Sequence, residues 1–168
     1  MILDITGTII IPQNHQLVFE YFSNFANDKL WRKEVKATKV NSEKICVGTS
    51  ITQYSFLSKK EPYYKSEFTC TEFAANKIMV CETNRGDQFW LKTTRQVTPL
   101  TENNTLITYR LQFDTAIVKH GLGFALPHFL VRIYTQQTMK QYLRVLKNSI
   151  AKENQHAGFI TYPYYAGD

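Results

Sequence analysis

The sequence predicts an α+β domain, with about seven antiparallel strands followed by one long C-terminal helix. Three observations lead there. Residues 2–11 alternate with the period of a strand, residues 35–115 form a series of extended stretches joined by short polar connections, and residues 126–153 hold the only long helical pattern.

In the first strand Leu3, Ile5, Gly7, Ile9 and Ile11 alternate with Asp4, Thr6, Thr8 and Ile10, and Pro12 ends the run. From residue 14 to 25 the period becomes helical, with Leu17, Val18, Tyr21, Phe22 and Phe25 on one face and Asn14 placed to cap the first turn. A second short helix follows Asn27 and Asp28, and its Trp31 is expected to pin it onto the sheet.

Extended stretches are expected at 35–42, 47–58, 63–75, 77–83, 88–99 and 105–115. The connections between them, such as Lys59-Lys60-Glu61-Pro62 and Asn84-Arg85-Gly86-Asp87, are of hairpin type, which makes the sheet antiparallel. In the last strand Ile107, Tyr109, Leu111 and Phe113 form the inward face. In the strand before it Phe89, Leu91, Thr93 and Val97 do so, bringing Arg95 inward and leaving Trp90 and Lys92 outside. The strands over 47–75 have mixed faces, in which Tyr54, Phe56, Tyr64, Ser66 and Phe68 suit the lining of a cavity. Residues 116–125, with Gly121 and Gly123, read as a flexible apolar link, either a lid or a buried connection.

In the last helix Met139, Tyr142, Leu143, Leu146 and Ile150 form a clear stripe. Leu126, Leu130 and Ile133 point well over about 90° away from it, so the apolar face turns near Gln136 and Gln137. Two arrangements follow. If the stripe sets the inward direction throughout, His128, Arg132, Thr135 and Gln136 project into a cavity, and Arg132 needs a carboxylate such as Glu67, Glu72 or Glu82, or an anionic ligand. Otherwise Phe129, Leu130 and Ile133 face inward and form an ordinary apolar wall.

With 168 residues, 43% hydrophobic and 14% aromatic, the chain has material for one core. A single domain over 1–153 is expected, with an aromatic tail over 154–168 docked on the domain or on a partner. The net charge of +6 favours anionic partners through long-range attraction. Lys29, Arg32, Lys33, Lys36 and Lys39 form a basic run read as a solvated face, with phosphate or membrane contact as the alternative; no DNA binding is expected. Cys46, Cys70 and Cys81 are odd in number and read as buried hydrophobes in a reducing compartment. Residues 1–11 lack the features of a secretory signal, and no run reaches the roughly 18 apolar residues of a membrane span, so a soluble cytoplasmic protein is expected. The four histidines show no metal-ligand spacing, and no phosphate loop or nucleophile elbow is present, so neither a metal nor a cofactor is expected.

Ile9-Ile10-Ile11-Pro12 with Leu17-Val18-Phe19-Glu20-Tyr21-Phe22, Trp31 ahead of Glu34-Val35, Val47-Gly48-Thr49, Pro99, and Asn104-Thr105-Leu106-Ile107-Thr108-Tyr109 form a set of stretches. Together they resemble the polyketide cyclase/dehydrase and lipid transport branch of the START-like, or SRPBCC, superfamily. The resemblance spans roughly 2–153 and carries no catalytic motif. It implies a helix-grip fold: a curved seven-stranded sheet around the long helix, two short helices between strands 1 and 2, and a cavity for a lipid, sterol or polyketide-like molecule.

The expected function is therefore binding of a small hydrophobic ligand, neutral or anionic, in a cavity between the sheet and the C-terminal helix. Candidate contacts are Tyr54, Phe56, Phe68, Phe89, Leu91, Arg95, Tyr109, Leu111, His128, Phe129, Arg132 and Gln136. Two rivals stand beside it. One is a cyclase, aromatase or dehydratase in which His128 acts as general acid or base with Arg132 and Tyr109. The other is a module with a closed cavity that binds a protein, an RNA assembly or a membrane, with oligomerisation through the tail.

Overall fold

The computed structural model describes the backbone of residues 1–157 and the side chains of 1–153; the aromatic tail lies largely outside the described residues. Seven strands form one antiparallel sheet: β1 (Ile2–Ile11), β2 (Val35–Val40), β3 (Ser50–Ser55), β4 (Tyr64–Ala74), β5 (Ile78–Thr83), β6 (Leu91–Thr101) and β7 (Asn104–Asp114). Their order is β1-β7-β6-β5-β4-β3-β2, a meander whose last strand returns to pair with the first. Register shifts at Val35/Ala37, Cys70/Glu72 and Pro99/Thr101 bend individual strands, which curves the sheet.

Between β1 and β2 lie α1 (His15–Ser23), a 3-10 turn (Phe25–Asn27) and the one-turn α2 (Asp28–Trp31). Asn14 caps α1 as expected, its side chain accepting from Gln16 N at 2.9 Å. Phe22, Phe25 and Trp31 are buried among the inward residues of the sheet, so α1 and α2 fill the middle of its concave face.

The link over 116–125 is a correction to the sequence reading: Ala116–Leu122 is a helix, α3. Its two glycines have separate reasons. Gly123 (φ +82°) is the left-handed cap that ends α3. Gly121 lets the helix approach the β3–β4 loop, since a Cβ there would stand 3.2 Å from Leu57 Cβ. The long helix α4 spans His128–Ala157 and lies along β1, with Met139, Leu143, Leu146 and Ile150 buried.

Cys70 and Cys81 face each other across β4 and β5, are buried and are not disulfide-bonded, whereas Cys46 is exposed. Burial pushes both buried thiols up, and Cys81 far above the usual thiol range. Titration of the folded protein with a thiol reagent at mildly alkaline pH should therefore detect Cys46 alone, and denaturation should expose all three.

Candidate functional site

The centre of the concave face is a closed polar cluster. Asp28 and Arg95 are both fully buried and form a two-pronged ion pair, with Arg95 Nη1 to Asp28 Oδ1 at 2.8 Å and Nη2 to Oδ2 at 2.6 Å. Arg95 Nη1 also donates to the Phe22 carbonyl at 2.7 Å. Oδ2 of Asp28 accepts from Gln53 Nε2 at 3.0 Å and Arg32 Nη1 at 3.1 Å. Arg32 in turn pairs with Glu34, whose other oxygen accepts from the Tyr142 hydroxyl of α4.

Aromatic rings surround the Arg95 guanidinium, with Phe25 at 4.0 Å, Phe22 and Trp31 at 5.6 Å and Tyr109 at 6.0 Å. Burial opposes the charge on Arg32, but Tyr109, Glu34 and Asp28 outweigh it and hold the guanidinium well above its ordinary range. Burial and then Glu34 likewise push the Tyr142 phenol far up. Two arginines face two carboxylates, so the cluster is neutral and leaves no uncompensated charge for an anionic ligand.

The two ends of the concave face differ. Toward one end α1 and α2 pack solidly. Toward the other, Ser66, Thr83 and Thr93 bring small hydroxyls to the inner face, and α3 packs beside Leu57, Tyr64 and Phe89. There a cleft of about 250 Å3 is lined by Tyr64, Lys65, Ser66, Glu67, Thr83, Asp87, Gln88, Phe89 and Leu91. His120 of α3 packs on Tyr64 and Phe89, with ring centroids 6.3 and 5.3 Å away, and its Nε2 lies 3.5 Å from Glu61 Oε2. Thr83 is held in place, its hydroxyl accepting from Leu91 N at 3.0 Å and donating to the Phe89 carbonyl at 3.4 Å.

Of the residues singled out from sequence, the structure brings Tyr64, Ser66, Phe89 and Leu91 to this cleft. Phe68, Arg95 and Tyr109 are buried on the inner face nearby, and Leu111 packs half-buried on the core. Tyr54 and Phe56 do not join them. Gln53 and Ser55 take the inner face of β3, so Tyr54 points the other way and Phe56 is exposed beside Lys36.

His128, Arg132 and Gln136 are exposed, which corrects their inward reading, and Phe129, Leu130 and Ile133 are exposed too, which corrects the alternative of an inward apolar wall. Val131 is buried there instead, because this half of the helix projects beyond the core that anchors the second half. The buried arginine is Arg95, not Arg132, and its carboxylate is Asp28. Glu67 and Glu82 pair with Lys65 and Lys92, and Glu72 is exposed. Arg32, engaged with Asp28 and Glu34, is not part of a basic surface.

Asp28 is the residue that sequence reasoning missed. In sequence it stands at a helix start among lysines and arginines, where a solvated aspartate is ordinary. Its signal was the inward Arg95, which needed a buried partner. Sequence reasoning also missed His120, which lay inside the stretch read as a link.

Neither a family model nor a curated protein sequence matches this chain. Solved structures do. A START superfamily protein from Mycobacterium smegmatis superposes with a TM-score of 0.69 at 14% identity, over 89% of this chain and 97% of that one. The chain has the START-like helix-grip fold. The ZhuI aromatase/cyclase from a Streptomyces species gives 0.65 at 9% identity, over 94% and 99% of the two chains. A Thermus thermophilus protein gives 0.63 at 16%, over 90% and 99%. The helix-grip fold thus accounts for the curved sheet, the long C-terminal helix and the two short helices between β1 and β2, while this chain closes the centre of the grip with its own Asp28–Arg95 cluster.

Proposed function

We propose that the protein binds a small, partly hydrophobic molecule in the cleft between the start of β4 and the loop that precedes β6. The observation that carries this reading is the cleft itself, about 250 Å3, in which Tyr64, Phe89 and Leu91 supply apolar surface beside the hydroxyls of Ser66 and Thr83 and the polar side chains of Lys65, Glu67, Asp87 and Gln88. Apolar surface with convergent polar groups suits a small-molecule site. The volume lies below the roughly 300–1,000 Å3 of typical drug-sized sites. A ligand of one or two rings, or a short acyl chain, matches it. Ligand binding is also what the START superfamily and aromatase/cyclase neighbours make reasonable by analogy.

The experiment is native mass spectrometry of the purified protein, followed by titration with a panel of aromatic and short-chain fatty acids and their neutral esters. Stoichiometric binding is expected, stronger for the neutral members because the interior arginines are already paired. Ser66→Phe, which places a ring in the cleft, should weaken binding at least tenfold. Its melting temperature shows whether the fold is retained, and Leu91→Ala, which widens the cleft, should shift the preference toward larger ligands. A protein that takes up none of the panel, or a Ser66→Phe variant that binds as the wild type does, overturns this site.

A second reading rests on His120 and Glu61. His120 Nε2 and Glu61 Oε2 stand 3.5 Å apart beside two lining residues of the cleft, Tyr64 and Phe89, and an imidazole is suited to proton transfer on a bound ketone or enol. His120→Ala then abolishes turnover of a polyketide-like substrate while leaving ligand binding within a fewfold, whereas a binding protein shows no turnover to lose.

A further inference from the structure

The first half of α4 carries large apolar side chains on its outer surface. Phe129 is 63% exposed, Ile133 48% and Leu130 42%, and Phe124 in the preceding turn is 57% exposed. Isolated exposed apolar residues are ordinary, but neighbouring ones on one helix face mark a contact surface. At about 100° per residue, Phe129, Ile133 and Leu130 fall within an arc of roughly 100°, directed away from the buried side that holds Val131 and Met139.

The charge on this part of the chain identifies the partner. From residue 115 to 152 there is no Asp or Glu, while Lys119, Arg132, Lys140, Arg144, Lys147 and Lys152 lie there. Since the chain has 20 Lys and Arg against 14 Asp and Glu, the stretch 115–152 alone carries a charge equal to the whole net charge of +6. Lys140, Arg144 and Lys147 lie within the same arc as Phe129, Leu130 and Ile133. One outer face of α4 is therefore apolar in its first half and basic in its second, over roughly 27 Å of helix between residues 129 and 147.

We propose that this face lies on a membrane bearing anionic headgroups, with Phe129, Ile133 and Phe124 entering the boundary between headgroups and acyl chains and the lysines and arginines bound to lipid phosphates. A helix with a strongly basic face and adjacent aromatic and aliphatic side chains is built for the interfacial plane. Each basic residue near the surface adds to the attraction. RNA would use the charge but would leave Leu130 and Ile133 without apolar contact. Among the described residues no helix is long and apolar enough to cross a membrane, so the contact is peripheral. The same face begins shortly after α3 ends at Gly123.

The test is flotation of the empty protein with vesicles of phosphatidylcholine alone or phosphatidylcholine mixed with phosphatidylglycerol. Binding is expected only with the anionic vesicles, falling steeply as salt is raised. Phe129→Ser combined with Ile133→Ser should weaken it tenfold or more, and Arg144→Glu with Lys147→Glu should do the same. All four side chains lie outside the core, so an unchanged melting temperature shows that the fold is kept.

Three results overturn the proposal. One is no flotation with the anionic vesicles. Another is flotation, or binding to polyuridine, that the charge variant abolishes and the Phe129/Ile133 variant leaves intact. The third is a wild-type dimer in solution that the Phe129/Ile133 variant splits, which assigns the face to a second copy of the chain. No ligand is needed in this assay, so an empty or non-binding cleft leaves its result unaffected.

Discussion

Replacement of Arg95 by Met is expected to cost about 3–5 kcal/mol of stability, as breaking one side of a buried ion pair does. For a domain of this size that lowers the melting temperature by roughly 6–20 °C. The cause is the charge left behind. Asp28 is fully buried, and without Arg95 it keeps only Arg32 Nη1 and Gln53 Nε2, both on the same oxygen; Oδ1 loses its partner, as does the Phe22 carbonyl. Arg95→Lys should recover only part of the loss, because an ammonium cannot serve both carboxylate oxygens and the Phe22 carbonyl with the geometry of the guanidinium fork. The discriminating variant is Arg95→Met with Asp28→Leu, which removes both charges. It should be markedly more stable than Arg95→Met alone, since a buried pair contributes little over an apolar replacement of similar volume. Urea denaturation of the set measures this; a loss below about 1 kcal/mol for Arg95→Met, as for a surface pair, would show that the cluster is open to water.

The cluster also marks the limit of what alternation along a strand reveals. Alternation with Leu91, Thr93 and Val97 puts Arg95 inside, and the structure agrees. It says nothing of the partner, because Asp28 is 67 residues away and reaches Arg95 only after the sheet has curved and α2 has settled into it. The strands, hairpins and capped first helix were legible because their signals are local. The lining of the cleft was legible in part: Phe89 and Leu91 follow from alternation and Tyr64 and Ser66 from the mixed face of β4, but Tyr54 and Phe56 were misplaced because Gln53 occupies the inner face of β3 to reach Asp28. A polar residue facing inward reverses the apparent polarity of a strand.

The first half of α4 shows a different limit. Periodicity placed a turn of the apolar face near Gln136 and Gln137, whereas the buried side runs on through Val131, half-buried Thr135 and Met139; both expected arrangements placed a broader side of this half against the interior. In the structure only Val131 is buried there, and polar and apolar flanks alike face outward. A helical pattern reports which residues share a side, and the extent of the body beneath decides whether any side is covered. α3 was hidden for a related reason: Gly121 and Gly123, which suggest a flexible link, are a close-packing position and a helix cap.

Where α4 leaves the body is set from the other side by Gly7, and Gly7→Val is the second large effect expected. A Cβ at this position would stand 2.6 Å from Met139 Cγ and 2.8 Å from Leu143 Cδ1, closer than carbon atoms pack. Valine suits a strand by propensity, so the cost comes from overpacking and should be about 1–3 kcal/mol or more. Met139→Ala destabilises on its own by leaving a cavity, but it also removes the nearer clash. The double variant Gly7→Val with Met139→Ala should therefore lose less than the sum of the two single losses. Strict additivity would mean that helix and strand are not in contact at Gly7. The contact also bears on the exposed face, because the stripe of Met139, Leu143, Leu146 and Ile150 lies on β1 only as closely as the missing side chain at Gly7 permits. Lifting the second half of α4 re-aims the first half, so Gly7→Val should weaken flotation with anionic vesicles although Gly7 itself lies on β1 beneath Met139 and Leu143, and Met139→Ala in the same chain should restore part of it.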